Sequence, residues 1–144
     1  MILCDVNVLL YAMVAATPHH ELCRKELAAL RRRGEAIAIS DLVNAAVIRI
    51  ATNARVFKPA VSPADAFAFV EAWSSHPRAI RVVPGERHWR IFHDLVLAAG
   101  VKGADTTDAY LAALAIEHGC EWWTTDHGFA RFETLRSRNL LGER

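Results

Sequence analysis

The sequence predicts an α/β/α sandwich around a central, mostly parallel sheet of four or five strands, and three observations carry that expectation. Short runs of strand character (Ile2–Cys4, Ala36–Ile39, Ile80–Val83 and Glu121–Thr124) alternate with helix-length segments; this is the pattern of parallel strands joined by helical crossovers. The runs are apolar through most of their length rather than at every second position, as strands covered on both faces are. A chain of 144 residues, 53% of them apolar, suffices to bury such a sheet, and no linker, repeat or low-complexity tract divides it, so residues 1–144 read as a single domain.

Each element has its local reason. Ile2-Leu3-Cys4 is a buried strand ending at Asp5, and Asn7 to Ala12 stays apolar at most positions, which suits a helix packed on a sheet. Pro18-His19-His20-Glu21 opens a second helix with Leu22, Leu27 and Leu30 as its buried stripe; Arg31-Arg32-Arg33-Gly34 gives it a basic end and a glycine stop. After the strand at 36–39, Ser40 caps a helix from Asp41 to about Asn53. Ser62 and Pro63 begin another, over about 64–75, by the same capping logic. Pro84-Gly85 closes the third strand, and Glu86 to Ala99 is helical with Trp89, Phe92 and Leu95 on one stripe. A further helix spans about Thr106 to His118 and stops at Gly119. The strand 121–124 follows, then a helical turn at 129–132 and an edge strand or tail between Leu135 and Leu141.

Composition narrows the function. Seventeen basic residues against sixteen acidic ones leave a net charge of +1, which excludes broad, non-specific coating of nucleic acid and confines any RNA contact to a local patch. The three cysteines, Cys4, Cys23 and Cys120, are odd in number and widely spaced, which argues against a disulfide framework and a cysteine metal site. The longest apolar run, Val8 to Ala16, is far short of the ~20 residues a membrane helix needs. No basic segment precedes the N-terminal apolar stretch, so a cytoplasmic protein is expected. Neither a phosphate-cradling glycine loop nor a nucleophile elbow is present. The histidines lack the i, i+4 spacing of a helical metal pair.

Acids mark the strand ends instead. Asp5 closes the first strand, Asp126 follows the fourth, and Asp108 stands at the start of the helix leading into that fourth strand. In a parallel sheet the ligand crevice lies beyond the carboxyl ends of the strands, where strand order reverses. With the first and fourth strands as neighbours, the three carboxylates converge there. They repel one another unless a cation sits between them, and a hard divalent ion with oxygen ligands suits that role. Taken singly, each has an ordinary reading as a turn or helix-cap residue.

The stretch Leu3-Cys4-Asp5-Val6-Asn7-Val8-Leu9-Leu10-Tyr11-Ala12 resembles the opening of a PIN domain. So does Asp108-Ala109-Tyr110-Leu111-Ala112-Ala113-Leu114-Ala115, followed by Trp122-Trp123-Thr124-Thr125-Asp126 and Phe129. Ile48-Arg49-Ile50-Ala51-Thr52-Asn53 and Pro84-Gly85-Glu86-Arg87-His88-Trp89 are similar to a subgroup of VapC-type toxins from toxin–antitoxin pairs. The resemblance covers nearly the whole chain, and the order of its short motifs makes it specific. It implies a PIN-like fold and a Mg²⁺- or Mn²⁺-dependent ribonuclease that leaves a 5′-phosphate and a 3′-hydroxyl. By it, Asp5, Asp108 and Asp126 are the catalytic, metal-binding acids, with Asn7 and Thr124 orienting carboxylates by hydrogen bonds. It also implies a cognate antitoxin protein as partner, an RNA substrate (tRNA, rRNA or mRNA), and a homodimer or a heterocomplex with the antitoxin.

One position departs from the family pattern: Ala46 falls where a fourth acid, a glutamate, is usual. Asp41 and Asp105 are the spare acids nearby; Asp41 lies about 140° around the helix from position 46, whereas Asp105 lies on the same side of its helix start as Asp108. The departure keeps open a catalytically weak or inactive PIN-fold module that binds RNA or antitoxin only. A phosphohydrolase with an aspartyl nucleophile is less suited, since it wants Asp-x-Asp and has Asn7 in the second place. Arg131, Arg136, Arg138 and Arg144 follow Asp126 in the chain and are candidates for phosphate or antitoxin contact; Arg24, Lys25 and Arg31-Arg32-Arg33 read as a solvated helix face. Trp122 and Trp123 are adjacent on a strand, point to opposite faces and belong to the core.

Overall fold

A computed structural model describes residues 1–142; Arg144 lies outside them. In chain order the elements are β1 (Ile2–Cys4), α1 (Val6–Met13), α2 (His20–Arg32), β2 (Ile37–Ile39), α3 (Asp41–Ala51), α4 (Pro63–Ser74), β3 (Ala79–Arg81), α5 (His88–Ala99), α6 (Thr106–Glu117), β4 (Glu121–Thr124) and β5 (Ser137–Asn139). Single 3-10 turns at Gly103–Asp105 and His127–Arg131 complete the list. The five strands form one sheet in the order β3-β2-β1-β4-β5, and every pairing is parallel. The chain therefore builds outward from β1 through β2 to β3, then returns to the other side of β1 with β4. That reversal is the switch point at which an open α/β sheet leaves a crevice, and β1 and β4 flank it.

Burial follows position in the sheet. The interior strands β1 and β2 are buried at every residue, and β4 is buried from Trp122 to Thr124. Trp122 contacts Phe129, ring centres 5.1 Å apart, and Trp123 lies beneath the Arg138 guanidinium; both indoles are buried, as expected. Removing roughly 200 Å² of each from water is worth ~5 kcal/mol at ~25 cal/mol per Å². β3 differs from its expectation: it ends at Arg81 and is an exposed edge, with Ile80 half in solvent. Its apolar residues do not distinguish an edge from an interior strand, because that depends on a neighbour elsewhere in the chain.

The helix caps match the sequence. Ser40 Oγ accepts the Val43 N–H at 3.4 Å, and Ser62 Oγ accepts the Asp65 N–H at 3.1 Å. On α2 the buried stripe is Cys23, Leu27 and Leu30, with Leu22 only half-buried. On α5 the expected stripe holds at Leu95, which is buried, and at Phe92, which packs against the core, but not at Trp89. Trp89 is 70% exposed, while His88 is buried and its Nε2 bonds the Tyr110 carbonyl at 3.0 Å. A clamp holds the loop before α5: the Glu117 carboxylate accepts the backbone N–H groups of Gly85 at 2.7 Å and Arg87 at 3.0 Å. A Cβ at Gly85 would stand 2.9 Å from that carboxylate, so a side chain there would push the Glu117 carboxylate aside.

Candidate active site

Asp5 is the first residue beyond β1. Its backbone N–H continues the sheet by bonding the Trp123 carbonyl at 2.8 Å, and the same residue starts α1 as its N-cap. Its side chain is buried. One carboxylate oxygen, Oδ2, accepts the Thr124 hydroxyl at 2.6 Å, and the Thr124 Oγ1 in turn accepts the Asp126 N–H at 2.9 Å. A single threonine at the end of β4 thus ties the two strand-end acids together. Asp126 Oδ1 accepts the Gly128 N–H at 2.7 Å and caps the 3-10 turn, leaving the residue exposed to the crevice.

Asp108 reaches the same crevice from the first turn of α6. Its Oδ2 accepts Arg131 Nη2 at 2.8 Å, and Arg131 Nη1 lies 3.4 Å from Asp105 Oδ2. The Arg131 guanidinium also stacks over Phe132, 5.1 Å from the ring centre. Asp5, Asp108 and Asp126 line one open cleft of about 400 Å³, together with Asn7, Ala46 and Arg49. Among the described residues, no three His, Cys, Asp or Glu side chains stand close enough together to hold a metal ion as they are placed. The three acids face a shared space, and Arg131 holds Asp108.

Electrostatics mark Asp5 as the most perturbed acid. Its carboxyl is pushed up to about 6: burial raises it most, the Thr124 hydroxyl and Val6 N–H oppose the rise, and the Asp108 and Asp126 charges add to it. Burial also raises Asp108; Arg131 opposes that rise, while Asp126 and Asp105 add to it. Neighbouring carboxylates thus destabilise the ionised forms of Asp5 and Asp108, which is the condition a hard cation relieves.

Several candidates stand elsewhere. Asp41 is exposed, pairs with Arg81 of β3 and borders a separate groove between α3 and α4, because the first residue of α3 faces the β3 edge. Asp105 is exposed beside Arg131 rather than in the cleft wall. Of the candidate arginines, Arg131 is committed to Asp108 and Asp105. Arg136 sits just before β5 and bonds the Gly119 carbonyl at 3.2 Å, at the sheet end opposite the acids. Arg138 lies over Trp123 and bonds Glu26 at 3.2 Å. The sequence reading assigned no role to Arg49, which lines the cleft one helical turn beyond Ala46; the i, i+3 spacing was the signal available.

Residues 2–135 match the PIN domain, and the chain belongs to the PIN-domain family. It is 43% identical over 141 residues to the VapC ribonuclease Mb2897 of Mycobacterium bovis, covering 98% of this chain and 96% of that protein. Ribonuclease VapC25 of Mycobacterium tuberculosis is 38% identical over 136 residues, 94% of this chain and 96% of its own. Among solved structures, VapBC2 of Rickettsia felis bound to a DNA fragment from their promoter superposes with a TM-score of 0.71 at 19% identity. That match covers 96% of this chain and 98% of the other, and it shows the shared fold.

Proposed function

We propose that this chain is a divalent-metal-dependent endoribonuclease, the toxin of a toxin–antitoxin pair, with Asp5, Asp108 and Asp126 as its metal-binding catalytic acids. The observation that carries this reading is the convergence of carboxylates from three separate elements on one cleft at the β1–β4 switch point. It stands in a chain that aligns over 98% of its length with a VapC ribonuclease. The donor set fits Mg²⁺ or Mn²⁺: it is all carboxylate oxygen, one member is buried, and that member's carboxyl is raised by its acidic neighbours. When bound, the ion supplies positive charge to the scissile phosphate and acidifies the attacking water. The chain's own residues do the rest. Thr124 fixes the rotamer of Asp5 and the backbone of Asp126, and Arg131 fixes Asp108. Asn7, on the first turn of α1, lines the same cleft, within which its amide would orient carboxylates around a bound ion.

By the same reading residues 1–144 form one domain, and the protein is cytoplasmic. It pairs with a cognate antitoxin as a heterocomplex or as a homodimer. Its substrate is tRNA, rRNA or mRNA. Among the described residues no helix is long and apolar enough to cross a membrane. A second reading, a binding module without turnover, is favoured by Ala46, which lines the cleft where the family pattern has a glutamate. Incubation of the protein with single-stranded RNA and with tRNA separates the two. Cleavage that requires Mn²⁺ or Mg²⁺, stops with EDTA and leaves 5′-phosphate ends is the expected result. Tight RNA binding without cleavage would replace the enzyme by the module.

A further inference from the structure

The cleft holds a second feature besides its acids. Along α3, Leu42, Ala45, Ala46 and Arg49 recur at the three- and four-residue spacing of one helix face, and all four line the cleft. Arg49 is the one cationic side chain among the cleft-lining residues. It is exposed, and among the described residues it makes no ion pair. The other arginine at the acids is taken: Arg131 pairs with Asp108 and Asp105. A glutamate at position 46 would stand i, i+3 from Arg49 and pair with it. Alanine leaves that charge free and the space beside it open.

RNA presents its phosphates to this cleft as anions, and carboxylates alone would repel them. A guanidinium offers a planar fork of donors that matches a phosphate. We propose that Arg49 is a substrate-binding residue that grips an RNA backbone phosphate next to the scissile one. In this chain it takes the α3 wall that the family pattern gives to an acid. The inference rests on the nuclease reading above.

The test uses the full chain carrying Asp5→Asn, so that the probe survives, and a fluorescein-labelled single-stranded RNA of about twenty nucleotides. Arg49→Ala is expected to weaken RNA binding about tenfold and to lower the salt dependence of log K by about one phosphate contact. Arg49→Glu weakens binding further, and Arg49→Lys recovers the salt slope but not the full affinity, because an ammonium lacks the fork. Mn²⁺ affinity of Arg49→Ala, in the chain with Asp5 intact, stays within about twofold of the unaltered chain, since a phosphate grip on the α3 wall is separate from the acids. Arg49→Ala binding RNA with unchanged affinity and slope overturns this inference alone, provided the unaltered chain cleaves RNA and Asp5→Asn does not. The same holds if the substitution weakens only a protein partner. An unaltered chain that neither binds nor cleaves RNA overturns the nuclease reading and this inference with it.

Discussion

Replacing Asp5 by asparagine is expected to abolish RNA cleavage and, in the same molecule, to stabilise the metal-free fold. The first effect follows from the loss of a buried ligand oxygen facing the cleft. It should exceed the ~10–100-fold typical of losing an outer hydrogen-bond partner of a metal site. The second follows from the cost of holding that carboxylate ionised. Its carboxyl rises from an ordinary 3.8 to about 6 because burial, with Asp108 and Asp126 nearby, penalises the charge. At about 1.4 kcal/mol per pH unit this is ~3 kcal/mol.

The sign is fixed by the direction of that rise. The folded chain binds more protons than the unfolded chain between the two values, so the stability of the metal-free protein increases as pH falls through about 6 toward 4. The full penalty stands above 6. The substituted asparagine keeps an acceptor for the Thr124 hydroxyl and carries no charge. Thermal unfolding in EDTA should therefore show Asp5→Asn more stable than the unaltered chain near neutral pH, with the gap closing on acidification. An Asp5→Asn chain that is less stable at both pH values would contradict the electrostatic account of the cleft.

Thr124→Val is the second large effect. The hydroxyl is the only side-chain link between the two strand-end acids among the described residues. It donates to Asp5 at 2.6 Å and accepts from the Asp126 backbone at 2.9 Å. Valine keeps the shape and the strand propensity of the site, so β4 should form as before. What it removes is the orientation of Asp5 and the anchor of the turn carrying Asp126. Divalent-metal affinity should fall by ~10–100-fold, and the buried Asp5 carboxylate, left one donor short, should cost ~1–3 kcal/mol of stability. Thr124→Ser should restore most of both. Unchanged metal affinity in Thr124→Val would show that the threonine serves the strand alone.

The contrast between what was legible in the sequence and what was not has a physical pattern. β1 and β4 fall at their expected residues because each is a short apolar run cut off sharply by a polar one, and Asp5 and Asp126 mark the cuts. Their adjacency, on which the acidic cleft depends, is a condition in the sequence reading and is supplied by the strand order of the sheet. The failures all come from contacts between distant parts of the chain. The exposure of β3 could not be read from Ile80, because it depends on whether a strand lies on each side. On α5 the first turn packs through His88 rather than Trp89: the His88 ring bonds the Tyr110 carbonyl of α6, a partner some twenty positions away.

The arginines show the same limit more clearly. Arg136 and Arg138 are near Asp126 in sequence, yet β5 runs parallel to β4. The chain must therefore return to the opposite end of the sheet before β5 can start. Proximity along the chain becomes distance in space, and Arg136 ends at the Gly119 carbonyl. Arg49, far from Asp5, Asp108 and Asp126 in sequence, is brought to the cleft by the packing of α3 beside α1.

Direct titration with Mn²⁺ tests the central claim, that Asp5, Asp108 and Asp126 form one cation site, without knowledge of the RNA. The unaltered chain, followed by calorimetry or by the electron-spin signal of free Mn²⁺, should bind the ion saturably. Asp108→Asn, which keeps its side-chain volume and an oxygen for Arg131, should bind it at least about tenfold more weakly. An unaltered chain without saturable binding, or an Asp108→Asn chain that binds as tightly as the unaltered one, would contradict the account.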